Sequence, residues 1–301
     1  MFKTQVALAK IQKRFGMFQK HELTAAKPLK ALFRYLLTNS KLILNRSLVF
    51  NWIHGLQLSI QKGDAGLIGN VYYGVYEYRE SLFLLHFLRK EDCFVDVGAN
   101  MGHFSILTAG IIKNKVIAIE PFESTFKRLK QQVELNNLSS YVELYNYGVS
   151  SEQGRLYLST HNGVMNKIVH QYYPEATEIN VDTIDHFTGS SNVTAIKIDV
   201  EGYELQALQG ADQLLSSSSL KAVVIELNDS GKNYDISNEQ IAAYLMERGF
   251  TPYRYHPLSR SLEAIEKYDK GQFNTLFLRD LEFVKSRLVT ASKIKVLQHD
   301  I

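Results

Sequence analysis

Three stretches of this sequence combine residue types and spacings that could do chemistry. The first is Asp96-Val97-Gly98-Ala99-Asn100-Met101-Gly102. It follows an apolar run and opens a helical one, so its glycines can turn the backbone tightly and let a ligand approach the main chain. The first strand–helix turn of an α/β sheet is where nucleotide-like ligands bind. Its Gly-x-x-x-Gly spacing differs from the Gly-x-Gly-x-x-Gly dinucleotide fingerprint. The second is Glu120, which ends the next apolar run 24 residues after Asp96. A carboxylate there can accept two hydrogen bonds from a ribose diol. Pro121 follows and a helix begins, so an acid that favours a helix N-terminus is the competing reading. The third is Lys197-Ile198-Asp199-Val200-Glu201-Gly202-Tyr203-Glu204, with Glu226 at the end of the following apolar run. Like charges so close are unfavourable unless a cation, a substrate or a water-filled cleft separates them.

These stretches need a sheet to position them. Short apolar runs at 94–97, 116–119, 142–145, 194–198 and 223–227 alternate with helical stretches at 102–112, 122–136, 205–215 and 238–246. Fully apolar short strands between helices imply a mainly parallel, doubly wound α/β sheet. Residues 250–255 and 273–278 alternate as a final strand pair, and 154–158 suggests an extra β excursion. Upstream, 56–77 reads as a small β-hairpin and 81–88 as a helix. Residues 1–55 read mostly as helices, with Leu8, Ile11, Phe15 and Phe18, then Leu29, Leu32, Phe33, Leu36 and Leu37, at helical spacing. The expected organisation is a basic helical N-terminal extension over 1–60, a catalytic domain over 61–288 and a fraying tail over 289–301.

Charge supports that division. The net charge is +3, but residues 1–50 hold ten Lys/Arg and one acid, Glu22, for +9, which leaves −6 for the rest. A basic segment on a mildly acidic body does not argue for a nucleic-acid-binding catalytic domain. The basic amphipathic helices can instead meet an acidic membrane or protein, or dock on the catalytic body. The single cysteine, Cys93, excludes an intrachain disulfide and a multi-cysteine metal site. It reads as a buried, unreactive thiol. No apolar stretch approaches the roughly 20 residues that span a bilayer, and no signal-peptide core follows the basic N-terminus. The expected location is the cytoplasm, with residues 1–50 available for peripheral membrane contact.

Taken together, Asp96-Val-Gly-Ala-Asn-Met-Gly102, Glu120-Pro121 and Lys197-Ile-Asp-Val-Glu-Gly-Tyr-Glu204 resemble FkbM-type methyltransferases, as do Gly74-Val-Tyr-Glu77 and Glu226. The resemblance covers roughly residues 63–280. It implies a seven-stranded, Rossmann-like, S-adenosylmethionine (AdoMet)-dependent fold with its last strand antiparallel, and O-methylation of a sugar, glycan or natural product. It places Asp96, Gly98, Asn100 and Gly102 beside the methionine and ribose of AdoMet. Glu120 falls on the ribose hydroxyls, Asn146 near the adenine and Asp199 by the sulfonium methyl. Gly148 stands where the family pattern leads one to expect alanine. The basic extension has no counterpart in it.

Asp199 and Glu201 are then the candidate catalytic acids. His103, His161 and His170 are candidate proton acceptors, His103 foremost because it starts the helix after the glycine turn. No metal ligand set is assigned; a divalent cation held by Asp199 and its neighbours is the less favoured alternative. Acceptor specificity would lie in 162–174 and 257–270. Two other functions share parts of the pattern. A nicotinamide-dependent oxidoreductase lacks its glycine fingerprint here, and a non-catalytic AdoMet-fold assembly protein would differ by having no turnover.

Overall fold

The runs at 94–97, 116–119 and 194–198 are buried along their whole length, whereas 142–145 at the sheet edge buries only Val142; together they build the sheet that carries all three motifs. In a computed structural model, the described residues are 2–159, 168–169 and 176–301, with side chains described for 8–159 and 176–301. His161, His170 and most of the proposed specificity segment 162–174 lie outside them. The central strands are β1 (Cys93–Val97), β2 (Lys115–Ile119), β3 (Val142–Tyr145), β4 (Val193–Ile198), β5 (Ala222–Glu226), β6 (Thr251–His256), β7 (Ser261–Ala264) and β8 (Asn274–Leu278). Their order across the sheet is β7-β6-β8-β5-β4-β1-β2-β3.

From β3 to β5 neighbours are parallel, whereas β8 is antiparallel to both β5 and β6. This is the doubly wound sheet with an antiparallel late strand. The difference from seven strands is β7, which pairs antiparallel with β6 as an eighth edge strand. Its polar sequence, Ser-Leu-Glu-Ala, gives no buried-strand signal. The helices that follow β1 and β2 are α1 (His103–Ile111) and α2 (Glu123–Leu135); α3 (Glu204–Gln209) and α4 (Asn238–Met246) follow β4 and β5. The stretch 205–215 is not one helix: α3 stops at Gly210, where a Cβ would stand 2.1 Å from the Ser150 carbonyl oxygen, and a second helix runs Asp212–Ser216.

Between β3 and β4 the chain leaves the main sheet for a smaller one of Gly148–Val149, Gly154–Ser159, Ile168–Val169 and Ala176–Asp182. Leu158, Ile179 and Val181 form its small apolar cluster, with Phe122 packed against it.

The chain divides into two compact units: Arg79–Ala291, which holds both sheets just described, and Met1–Tyr78 with Ser292–Ile301. This differs from the boundary at 60/61 and the separate tail that the sequence leads one to expect. In the smaller unit, helices Phe2–Lys20 and Pro28–Leu44 precede a hairpin that pairs Ser47–Asn51 with Gln57–Gln61. The expected hairpin thus pairs backwards, and Ala65–Tyr73 is a helix rather than its second arm. That helix is apolar on every side, so it shows no helical period. The tail does not fray: Lys295–Val296 pairs with His299–Asp300, and Ile294, Val296 and Ile301 are buried. Among the described residues, no helix is long and apolar enough to cross a membrane.

Candidate active site

The site forms where strand order reverses. β1 and β4 are parallel neighbours with Asp96 opposite Lys197 and Val97 opposite Ile198, and the crevice at such a switch point is where α/β sheets bind ligands. The glycine turn leaves β1 with Gly98 at φ 73°, and a Cβ there would sit 1.8 Å from the Asp199 carbonyl oxygen. Only glycine permits so close an approach of the two strand ends. Asn100 and Glu201, at φ 50° and 54°, hold left-handed backbone without being glycine, a strain that concentrates at functional loops. Gly102, at φ 87°, also holds left-handed backbone, and its Cβ would meet Leu129 of α2 at 2.5 Å.

The resulting cleft opens to solvent. Val97, Gly98 and Asn100 line it from the first turn, and Glu120, Pro121 and Phe122 from the second. Tyr147, Gly148 and Val149 line it after β3, Asp199, Val200 and Glu201 after β4, and Leu158 and Ile179 from the smaller sheet. Gly148 has a physical reason for not being alanine: a Cβ would lie 2.9 Å from Ile179 Cδ1, where the smaller sheet closes on the cleft.

Glu120 is fixed from both sides. Its Oε2 accepts the Asn100 N–H at 2.9 Å and its Oε1 the Phe122 N–H at 3.0 Å. Burial is the largest influence on it and pushes the carboxyl up to about 7, against those two hydrogen bonds. A carboxylate offers about four acceptor sites, so each oxygen can accept one more donor. Asn146 is a brace: its Nδ2 donates to the carbonyls of Glu120 at 2.9 Å and Pro121 at 3.0 Å, and its side chain does not line the cleft. The structure thus uses it to hold the Glu120 turn rather than as a wall for adenine.

Asp96 also sits behind the cleft. It is fully buried, and its Oδ2 accepts from the Ser105 N–H at 3.0 Å and the Ser105 hydroxyl at 2.5 Å. Burial raises its pKa, and Lys197 opposes that shift. His103 is likewise not brought to the cleft lining. Its Nε2 lies 2.8 Å from the Ser81 hydroxyl, so position does not support the role of proton acceptor.

At the end of β4, Lys197 Nζ stands 2.7 Å from Asp199 Oδ2, with the lysine side chain 3% exposed. The ammonium also lies 5.0 Å from the Phe104 ring centroid. A buried ammonium persists only when paired, and here it faces Asp96, Asp199 and Glu226. One oxygen each of Asp199, Glu201 and Glu226 lie within 4.8 Å of one another. Burial, and then the neighbouring Asp199, push the Glu226 carboxyl well above its ordinary range. Asn228 Nδ2 donates to Glu226 Oε2 at 2.9 Å. Glu204 shapes the loop: its Oε1 accepts the N–H groups of Gly202 at 3.0 Å and Val200 at 3.3 Å. Burial raises it to about 7.

The sequence pattern assigns Lys197 no role. The available signal was a charged residue between Ile196 and Ile198 in a fully buried strand. Cys93 is a buried thiol as expected, and burial holds its pKa at about 11.

The family model described as the methyltransferase FkbM domain matches residues 96–252. The chain belongs to the FkbM methyltransferase family. Among curated proteins, Methyltransferase 1 of Beauveria bassiana is 29% identical over 167 residues, covering 46% of this chain and 66% of that protein. The hexuronic acid methyltransferase AglP of Haloferax volcanii is 29% identical over 150 residues, covering 48% of this FkbM-family chain and 59% of the relative. The chain therefore spans less than two thirds of the length of either relative. Solved structures align more distantly. A Streptococcus mutans protein crystallised with S-adenosylhomocysteine aligns at TM-score 0.38 and 15% identity, over 66% of this chain and 94% of that one. A SAM-dependent O-methyltransferase of Thermotoga maritima aligns at 0.36 and 12%, over 67% and 64%.

Proposed function

We propose that this chain transfers a methyl group from AdoMet to a hydroxyl oxygen of a sugar, glycan or natural product. One observation carries the reading: a single cleft holds the Gly98 turn and the Glu120 carboxylate on one side and the Asp199 acids on the other. The residues present fit the cofactor. Gly98 lets the two strand ends that bound the cleft approach each other, and Glu120 keeps acceptor capacity for a diol. When bound, AdoMet supplies a methyl already activated on a sulfonium, so what the protein must add is mostly alignment.

Each residue then has a task. Glu120 holds the ribose hydroxyls and, through the Asn100 N–H, fixes the first turn. Asn146 keeps the Glu120 turn in place. Asp199, oriented by Lys197, accepts a hydrogen bond from the acceptor hydroxyl and takes its proton. Burial and Asp199 raise the pKa of Glu226, which favours its neutral form and limits the charge repulsion around Asp199. Glu201 bounds the acceptor side. The Lys197 ammonium already balances Asp199, which favours proton transfer without a divalent cation. The spacing of the acids keeps a cation-assisted version as the competitor. The hexuronic acid named for the Haloferax relative supports a carbohydrate acceptor.

The test is transfer of label from methyl-labelled AdoMet into the carbohydrate fraction of a cell extract, with Asp199→Asn as control. Label in that fraction with the wild type and not with the variant supports the proposal. Binding of AdoMet without transfer to any fraction would return the chain to the non-catalytic alternative.

A further inference from the structure

Helix Pro28–Leu44 is apolar on two sides, and only one of them is used. Its inward side is Ala31, Thr38 and Leu42, all buried. On that side Arg34 donates to the carbonyls of Val71 at 3.1 Å and Tyr72 at 2.8 Å, tying the helix to the end of Ala65–Tyr73. The larger side chains point the other way. Leu29, Phe33, Leu36, Leu37, Ile43 and Leu44 are all exposed, Leu29 by 70%, Phe33 by 66% and Leu44 by 83%. At about 100° per residue they fall within an arc of roughly 120° opposite the buried side. The sequence leaves open whether this stripe packs on the body or meets a partner; in the structure it points outward. Folded chains rarely leave so large a contiguous apolar face in water without a partner.

We propose that this face docks on an anionic lipid bilayer. Charge chooses the occupant. Residues 1–50 sum to +9, and Lys27, Lys30, Lys41 and Arg46 beside the stripe are exposed. An apolar face flanked by cations fits acyl chains beneath anionic headgroups. A second copy would bring the same positive charge against itself, and a nucleic acid would leave the stripe unburied. The surface belongs to the smaller unit and does not depend on the reaction assigned to the cleft.

The experiment is co-sedimentation of the full chain with phosphatidylcholine vesicles, with and without phosphatidylserine. Wild type should partition onto the anionic vesicles and stay in solution with the neutral ones. Phe33→Glu with Leu37→Glu should lower the partition coefficient at least about tenfold. Lys30→Gln with Lys41→Gln should lower it roughly 25-fold at low salt, about fivefold per lysine. All four positions are exposed, so an unchanged thermal midpoint certifies each variant's fold. Three results would overturn the proposal: no partition of the wild type, partition that ignores phosphatidylserine, or apolar variants that bind as wild type. A wild-type dimer that Phe33→Glu with Leu37→Glu dissociates would assign the face to a second copy instead.

Discussion

Lowering the pH should weaken AdoMet binding through one residue, Glu120. In the unliganded protein burial raises its carboxyl to about 7. Ribose hydroxyls donate hydrogen bonds, so they select the ionised form, whose two oxygens each have one backbone N–H and room for another donor. Binding therefore carries the work of deprotonating Glu120 at any pH below about 7. With that midpoint the apparent affinity at about pH 6 is roughly tenfold below its alkaline limit, a difference of about 1.4 kcal/mol. Glu120→Gln removes both the charge and the titration. It should cost at least about 1.5 kcal/mol, the lower end for a hydrogen bond to a charged group, and should flatten the profile. Calorimetric titration with S-adenosylhomocysteine between about pH 6 and about pH 8 reads both effects. Equal wild-type affinity at the two ends, or an unchanged slope in Glu120→Gln, would refute the ribose contact.

Other perturbations follow from the same geometry. Asp199→Asn should spare AdoMet binding and lower turnover by roughly 10²–10⁴-fold, as loss of a general base does; wild-type turnover should survive chelation, and its loss with recovery on Mg²⁺ would favour the cation-assisted version. Gly98→Ala should abolish cofactor binding in calorimetry, because its Cβ would stand 1.8 Å from the Asp199 carbonyl oxygen; retained binding would show that the two strand ends can separate. Glu226→Gln should raise the thermal midpoint by roughly 2–4 °C, the shift that about 1 kcal/mol produces in a domain of this size. The sign comes from its folded-state pKa, which burial and then Asp199 raise above the ordinary 4.5: stability present below the ordinary value is lost as pH rises above it. The gain should accordingly be larger at about pH 8 than at about pH 5, and a midpoint that falls at both would contradict the burial argument.

The fold was legible where burial on both faces left a short, mostly apolar run ahead of a glycine-containing loop, as at 94–97 and 194–198. It was not legible where tertiary contact decides. Gly210 splits a helix because Ser150 lies against it, and nothing near Gly210 in the chain announces Ser150. Ala65–Tyr73 lacks a polar face, so its helical period is invisible. In the site, Glu120 and Asp199 stood out as acids at strand ends and do line the cleft. Asp96, another acid, and the polar Asn146 also sit near strand ends, but Ser105 and the carbonyls of Glu120 and Pro121 claim their side chains. His103 is held by Ser81, a partner 22 residues away. The outward stripe on Pro28–Leu44 shows the same limit: periodicity marks an apolar face but cannot say which face packs.

Where the methyl group ends up tests the account most directly. After turnover with ¹³C-methyl AdoMet, the purified product can be treated with mild alkali and its methyl resonance recorded before and after. The account predicts a methoxy signal on a carbohydrate that survives alkali, because a methyl ether on a hydroxyl oxygen does not hydrolyse. Release of the label as methanol would place the methyl on a carboxylate as an ester, and a signal on nitrogen would place it on an amine; either result would contradict transfer to a hydroxyl.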